Sequence, residues 1–374
     1  MTDRNMTLLK NKNYSIEFLR FLFCLVIIHY HLFSHHLWFT DFPNIFARGY
    51  MGDEFFFMIS GFFMAKAALK SEKNPFDFSV EQLLRRIKKI AIPYYVTWIL
   101  CFIGQHITMY VMGTGDYDIL SNLGNSIYEL LFLEMFGFKK GFYSNDVGWF
   151  FSALLIVTFL LSPLAVRFKE GFTRYFAPLI ALFSYGLLSL HFDYLFDPYK
   201  LISGSFLMKG TIRALAAVSL GAFLHAVVTS EGFTSFFGRI SQSTRRIVLL
   251  IDLLLWGLVF AYVILPQSFG TGELTVQLDY IITFVMAAAL IPVLGNVFSA
   301  QKESAGKWAL SLGQFAFFAY FGQAVFYSVD KIVYDQPFPV WLMALILDTS
   351  VFAVTMLLWF ISSKAKHARK CTSR

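Results

Sequence analysis

The chain has 374 residues, 57% of them hydrophobic and 19% aromatic, and only 15% charged. Soluble globular chains carry about 25% charged residues, and a mean hydropathy of +0.60 leaves too little polar surface for a water-facing particle of this size. A soluble enzyme, a disordered chain and a nucleic-acid-binding module are excluded, so the +7 net charge must be read from where it falls.

A bilayer core of about 30 Å needs roughly 20 apolar residues per helix. Ten stretches qualify: 15–38, 50–68, 90–112, 147–166, 175–191, 205–228, 247–265, 275–298, 308–329 and 339–362. Polar residues interrupt or border the fifth and sixth. The apolar runs are continuous and far longer than the ~10-residue alternating segments of a membrane barrel. No internal repeat and no Gly/Pro-rich linker divides the chain. The expected architecture is one all-α polytopic membrane domain over 1–374, with about ten transmembrane helices and short tails near 1–14 and 363–374.

Ten spans place both termini on one side. If that side is cytoplasmic, 23 of the 31 Lys and Arg fall in inner segments. Only Arg48, Lys139, Lys140, Lys200, Lys209 and Lys331 fall in outer ones, and Arg20 and Arg213 lie inside spans. That asymmetry predicts two cytoplasmic termini. Residues 21–28 (FLFCLVII) resemble a signal-peptide core, but no small-x-small cleavage site follows, so a retained first helix is expected. Cys24, Cys101 and Cys371 form no CxxC or Cys/His spacing, and no metal is expected.

Titratable groups inside a span are costly unless they are paired or line a cavity. The first span holds Glu17, Arg20, His29, His31, His35 and His36. Arg20 and His31, eleven residues apart, fall within ~20° of one helix face and ~16 Å apart along the axis. Arg20 reads either as an inner-end residue paired with Glu17 or as part of a polar stripe. His35 and His36 suit an interfacial belt. His31 lies deeper on the Arg20 face, where a neutral imidazole can take a proton from an attacking hydroxyl. The second span opens with Asp53 and Glu54, which suit a helix N-terminus; Gly52 and Gly61 behind them permit close helix approach. Arg85, Arg86, Lys88 and Lys89 then sit at the inner boundary, as an anchor to anionic membrane lipid or as a phosphate clamp. Arg213 is a further charge inside the sixth span.

These segments together resemble the acyltransferase-3 family of integral membrane acyltransferases. The resemblance rests first on Leu19-Arg20 followed after ten residues by His31, and on Gly52-Asp53-Glu54-Phe55-Phe56-Phe57-Met58-Ile59-Ser60-Gly61-Phe62. Arg85-Arg86-Ile87-Lys88-Lys89 before Pro93-Tyr94, the Trp149-Phe150-Phe151-Ser152-Ala153-Leu154 stretch, and Arg213 with Gly221 support it. Lys89 stands where the family carries a second Arg, a poorer bidentate phosphate ligand. Gly322 stands where many members carry His, and no role is carried over there.

The resemblance implies transfer of an acyl group, commonly acetyl from acetyl-CoA, to a hydroxyl of a surface or secreted glycan or lipid-linked saccharide, in a bacterial inner membrane. His31, Glu54 and Arg20 are then the candidate catalytic residues. His31 acts as general base or is transiently acylated, and Glu54 orients or charge-balances it. Arg85, Arg86 and Lys89 hold the acyl-CoA phosphates, and the CoA arm enters a shaft along the Arg20–His31 stripe. Arg213 and Trp149 are substrate or structural residues. The outer loops near 113–146 and 191–209 are expected to select the acceptor, and no fused esterase-like domain is expected. The rival reading is a transporter or flippase of a glycan or lipid-linked precursor.

Overall fold

The structure is a computed structural model that describes residues 13–34, 45–114, 118–138, 144–145, 147–265, 277–298, 303–334 and 338–372. His35, His36, Lys139 and Lys140, together with Arg4, Lys10, Lys12 and Lys302 of the inner segments, lie outside the described residues. Among the described residues there are helices and turns and no strand. In chain order the helices are α1 Tyr14–Ser34, α2 Gly52–Leu69, α3 Pro75–Met112, α4 Ile119–Asn125, α5 Ile127–Leu130, α6 Gly148–Phe168 and α7 Ala177–His191. There follow α8 Lys209–Thr229, α9 Glu231–Arg239, α10 Gln242–Ile264, α11 Leu278–Leu294, α12 Glu303–Tyr327, α13 Asp330–Tyr334 and α14 Val340–Thr372.

The helices α1, α2, α3, α6, α7, α8, α10, α11, α12 and α14 fall one for one on the ten predicted stretches. Seven of them, α1, α3, α6, α8, α10, α12 and α14, are long and apolar enough to cross a membrane by length and composition. The other three fall short for visible reasons. α7 has 15 residues and α11 has 17, and α2 carries Asp53, Glu54 and Lys66 within its 18. The chain is an all-α, multi-pass membrane protein. Helix ends are called inner and outer below after the side the basic residues assign them.

Burial runs opposite to that of a soluble protein. Arg213 and Lys209 are among the largest fully buried side chains, while α10 exposes Ile247, Leu250 and Leu254, and α14 exposes Phe352 and Phe360. Apolar side chains face outward because lipid surrounds the bundle, and charges turn inward because lipid cannot solvate them.

The closest packing joins α2 and α8. A Cβ added at Gly61 would strike the Val218 carbonyl, and one added at Gly221 would strike the Met58 carbonyl. The two backbones touch because each helix offers a glycine to the other, the small-residue packing that membrane helices favour. They run in the same direction, with Glu54 beside Arg213 at the outer end and Phe62 against His225 further in. α1 and α12 are likewise parallel: Tyr14 abuts Gly306, and Tyr327 donates to the Ile28 carbonyl at 2.6 Å.

Two features were not expected. α3 starts at Pro75, well before the predicted span at 90. Asn74 caps it by accepting from the Phe76 amide, Pro75 occupies the first turn, and Gly113 closes it at φ +63°. At 38 residues the helix is ~57 Å long, so its basic residues ride on a rigid extension below Pro93 rather than on a loop. α5 and the connection from it to α6 also fold inward, burying Glu129, Phe132, Glu134 and Met135. The connection's backbone is satisfied locally: Ser152 Oγ donates to the Phe132 carbonyl at 2.8 Å and accepts from the Met135 amide at 3.1 Å. Irregular backbone at membrane depth is tolerated only when packed against protein in this way.

Candidate active site

The outer half of the bundle holds a sealed charge cluster. Arg213 Nε donates to Glu54 Oε1 at 2.9 Å, and its Nη2 donates to the Tyr50 carbonyl at 3.1 Å and lies 3.8 Å from Asp53 Oδ2. The guanidinium stacks 5.3 Å from the Trp149 ring. The other Glu54 oxygen accepts from the Tyr185 hydroxyl at 2.6 Å. Helices α2, α7 and α8 are thus tied at one carboxylate. Tyr50 extends the network by donating to Asp279 at 2.9 Å, where Tyr262 donates at 2.7 Å and the Leu195 amide at 2.6 Å. Each buried charge is paired or saturated with donors, as burial demands.

His31 stands on the other side of this cluster. Its Nδ1 is 3.2 Å from Gln323 Oε1, and Gln323 Nε2 donates to the Tyr320 carbonyl at 3.1 Å. The second bond fixes the amide so that its oxygen faces His31. A neutral His31 therefore carries its hydrogen on Nδ1 and presents Nε2 as the basic atom. The imidazole sits between the Tyr30 and Tyr327 rings, at 5.1 and 5.3 Å. It lines a small cavity of about 10 Å³ with Gln105, Ser144, Val147, Ala324, Tyr327 and Ser328. That is room for about one water molecule.

The two centres meet through aromatic rings. Tyr30 lies 5.1 Å from His31 and 5.5 Å from Tyr50, whose carbonyl accepts from Arg213. Glu54 makes its hydrogen bonds to Arg213 and Tyr185 and is held behind this layer. Arg20 lies toward the inner end, with its Nη1 donating to Glu17 Oε1 at 2.8 Å. Between Arg20 and His31 the α1 face is packed: Cys24 Sγ donates to the Ala316 carbonyl of α12, and Ile27 and Ile28 are buried. The stripe is a closed seam between α1 and α12, because apolar side chains fill the turns between its two polar ends.

At the inner end, Arg85 is exposed and donates to Glu81 Oε1 at 2.9 Å, and the other oxygen of Glu81 takes Lys73 at 2.7 Å. Lys89 lies 5.0 Å from the Phe317 ring of α12. Arg86 is half-buried, and no ion pair is seen for it among the described residues. Arg85 and Lys89, four residues apart, lie within ~40° of one helix face; Glu81 holds the first, and the second reaches the Phe317 ring.

Several residues of this region carried no sequence signal that singled them out. Tyr50, Tyr185, Tyr262, Tyr327 and Gln323 read as ordinary span residues. Asp279 did carry one, being an acid inside the predicted 275–298 stretch, and the rule that picks Arg213 applies to it equally. Gly322, beside Gln323, points away from His31: a Cβ there would meet the Val351 carbonyl and Thr355 Oγ1 of α14, each at 3.1 Å.

A family model described as an acyltransferase domain, the acyltransferase-3 model, matches residues 13–364, nearly the whole chain. Comparisons with curated proteins and with solved structures return no match.

Proposed function

The chain belongs to the acyltransferase-3 family and is a membrane acyltransferase, and from this premise we propose that it moves acetyl from acetyl-CoA, taken at the cytoplasmic face, to a hydroxyl of a surface or secreted glycan or lipid-linked saccharide. The observation that carries the reading is the orientation of His31. Gln323 holds Nδ1, so Nε2 is the basic atom of an imidazole that lines a small polar cavity near the outer end of the bundle.

In this reading His31 Nε2 takes the proton of the acceptor hydroxyl as its oxygen attacks the thioester carbonyl. The new C–O bond forms, the C–S bond breaks, and the proton passes to the departing thiolate, giving ester and free CoA. General-base assistance of this kind is worth about 10²–10⁴-fold. Arg86 and Lys89, with Arg85, hold the CoA phosphates, and the α1–α12 seam, closed in this structure, has to part for the thioester arm to reach His31 from the Arg20 end. Glu54 and Arg213 keep α2 and α8 in register behind the Tyr50–Tyr30 layer that backs the imidazole. Trp149 closes the guanidinium face.

Purified protein in nanodiscs, given radiolabelled acetyl-CoA and the glycan fraction of its host, tests this. Free thiol should appear together with labelled glycan, and His31→Ala should lose both while keeping its expression level. Near-normal acylation by His31→Ala overturns the role of His31. Glycan movement without thiol release favours the transporter.

A further inference from the structure

The turn at Ser144–Asn145, which opens the approach to α6, is fastened by one buried carboxylate. Glu129 is fully buried; its Oε2 accepts from the Ser144 amide at 2.9 Å and from Trp98 Nε1 at 2.8 Å, and its Oε1 accepts from the Asn145 amide at 2.6 Å. Three N–H donors from two different segments converge on one ionised group, a charge-assisted and geometrically strict arrangement. The Gln105 amide reinforces it by donating to the Ser144 carbonyl at 3.2 Å. This architecture carries Ser144 into the wall of the His31 cavity.

The hydroxyls and amides lining that cavity differ in what they do. Gln105 Nε2 donates to the Ser144 carbonyl, Tyr327 to the Ile28 carbonyl and Ser328 to the Val325 carbonyl. Ser144 Oγ is buried and has no hydrogen-bond partner among the described residues. Buried hydroxyls are almost always paired, and an orphan held in place by a dedicated clamp beside a cavity is open to a partner that enters the cavity, a water molecule or a ligand atom. In acyl transfer the thioester carbonyl oxygen gains negative charge as the hydroxyl attacks and needs a donor aimed at it, and Ser144 is the uncommitted hydroxyl on the wall that it shares with His31.

Resting on the acyl-transfer reading above, we propose that Ser144 is a catalytic residue whose hydroxyl donates to the carbonyl oxygen of the acyl group in transit, and that Glu129 is the positioning residue that sets it there. As the carbonyl carbon becomes tetrahedral, the developing oxyanion accepts from Ser144 Oγ–H. When the C–S bond breaks, the carbonyl re-forms and the hydrogen bond weakens. Ser144 gains and loses no covalent bond.

The test is steady-state kinetics of the full-length protein in nanodiscs with acetyl-CoA, for the parent and the variants Ser144→Ala, Glu129→Gln, Ser144→Ala/Glu129→Gln and His31→Ala. Ser144→Ala should lower kcat by about 10²–10³-fold, the usual effect of removing one oxyanion donor, with the KM for acetyl-CoA within about threefold and an unchanged melting temperature. Glu129→Gln should also lower kcat, but should cost little more when Ser144 is already alanine, because it acts through that hydroxyl. A Ser144→Ala kcat within about twofold of the parent overturns the proposal, as does a raised KM at constant kcat. An acyl adduct found on Ser144 by mass spectrometry after rapid quenching overturns it in favour of a nucleophile. His31→Ala separates the two readings: if it abolishes thiol release while Ser144→Ala does not lower kcat, only the role of Ser144 fails. If the parent releases no thiol, acyl transfer itself fails.

Discussion

Glu54 and Arg213, 159 positions apart, meet at 2.9 Å in a part of the bundle that admits no solvent to either side chain. Losing one partner would strand the other charge in a medium that cannot solvate it, which typically costs about 3–5 kcal/mol. Glu54→Ala and Arg213→Ala should each lower the thermal transition in detergent sharply. The paired replacement Glu54→Leu/Arg213→Met should lose at least ~1 kcal/mol less than the two single losses combined, because it leaves no orphan charge. Strictly additive losses would show that the two charges are not coupled.

The same pair depends on how closely α2 and α8 approach. A side chain at Gly221 must push against the Met58 carbonyl, and backbone cannot rotate aside as a side chain can. Gly221→Val should therefore cost about 1–3 kcal/mol through overpacking. Gly186, in the middle of α7, has nothing near its missing Cβ, so Gly186→Ala should be neutral or stabilising by up to ~1 kcal/mol through helix propensity. Thermal unfolding of the two variants side by side decides it, and equal losses would remove the special role of the α2–α8 contact.

Spans were legible because lipid imposes a one-dimensional rule, a run of apolar residues of fixed length, that needs no knowledge of neighbours. All ten stretches became helices for that reason. Arg213 and Glu54 were legible as costly charges, each in its own span, but their pairing depends on which helices touch, and nothing local encodes that. The α3 extension was missed because its lower half is polar and reads as a loop, although Asn74-Pro75 is a helix-start signal in plain view. Glu129 was the hardest to see. It lies outside every apolar stretch, so the rule that flags acids inside spans passes over it, and its burial comes from the short helix α5 folding back into the bundle.

At the inner end the three cations are not equivalent. Arg85 shares Glu81 with Lys73 in an exposed cluster of the kind worth about 0–1 kcal/mol. Arg86 is half-buried with no ion pair among the described residues, and Lys89 lies 5.0 Å from the Phe317 ring of α12. If the phosphates of acyl-CoA are held here, Arg86→Ala should raise the KM for acetyl-CoA about tenfold, as expected for loss of a charge-assisted hydrogen bond of about 1.5–3 kcal/mol. Arg85→Ala should raise it less, because that guanidinium is already shared with Glu81, and kcat should hold in both. Equal, small effects on KM, together with a weakened dependence of activity on anionic lipid in the nanodisc, would assign the segment to anionic lipid instead.

Gln323 offers the most specific check on the chemistry. Its amide is held by the Tyr320 carbonyl so that its oxygen meets His31 Nδ1, and that contact selects the tautomer whose Nε2 is basic. Gln323→Leu removes the acceptor and leaves both tautomers open to the imidazole. The expected result is a fall in kcat of roughly 10–100-fold with the KM for acetyl-CoA unchanged, milder than the effect of a mis-set histidine in a full triad. Gln323→Glu keeps an oxygen for Nδ1 and should retain more activity than Gln323→Leu. Were the leucine variant the more active of the two, the contact would be one of packing alone, and the basic nitrogen of His31 would have to be assigned on other grounds.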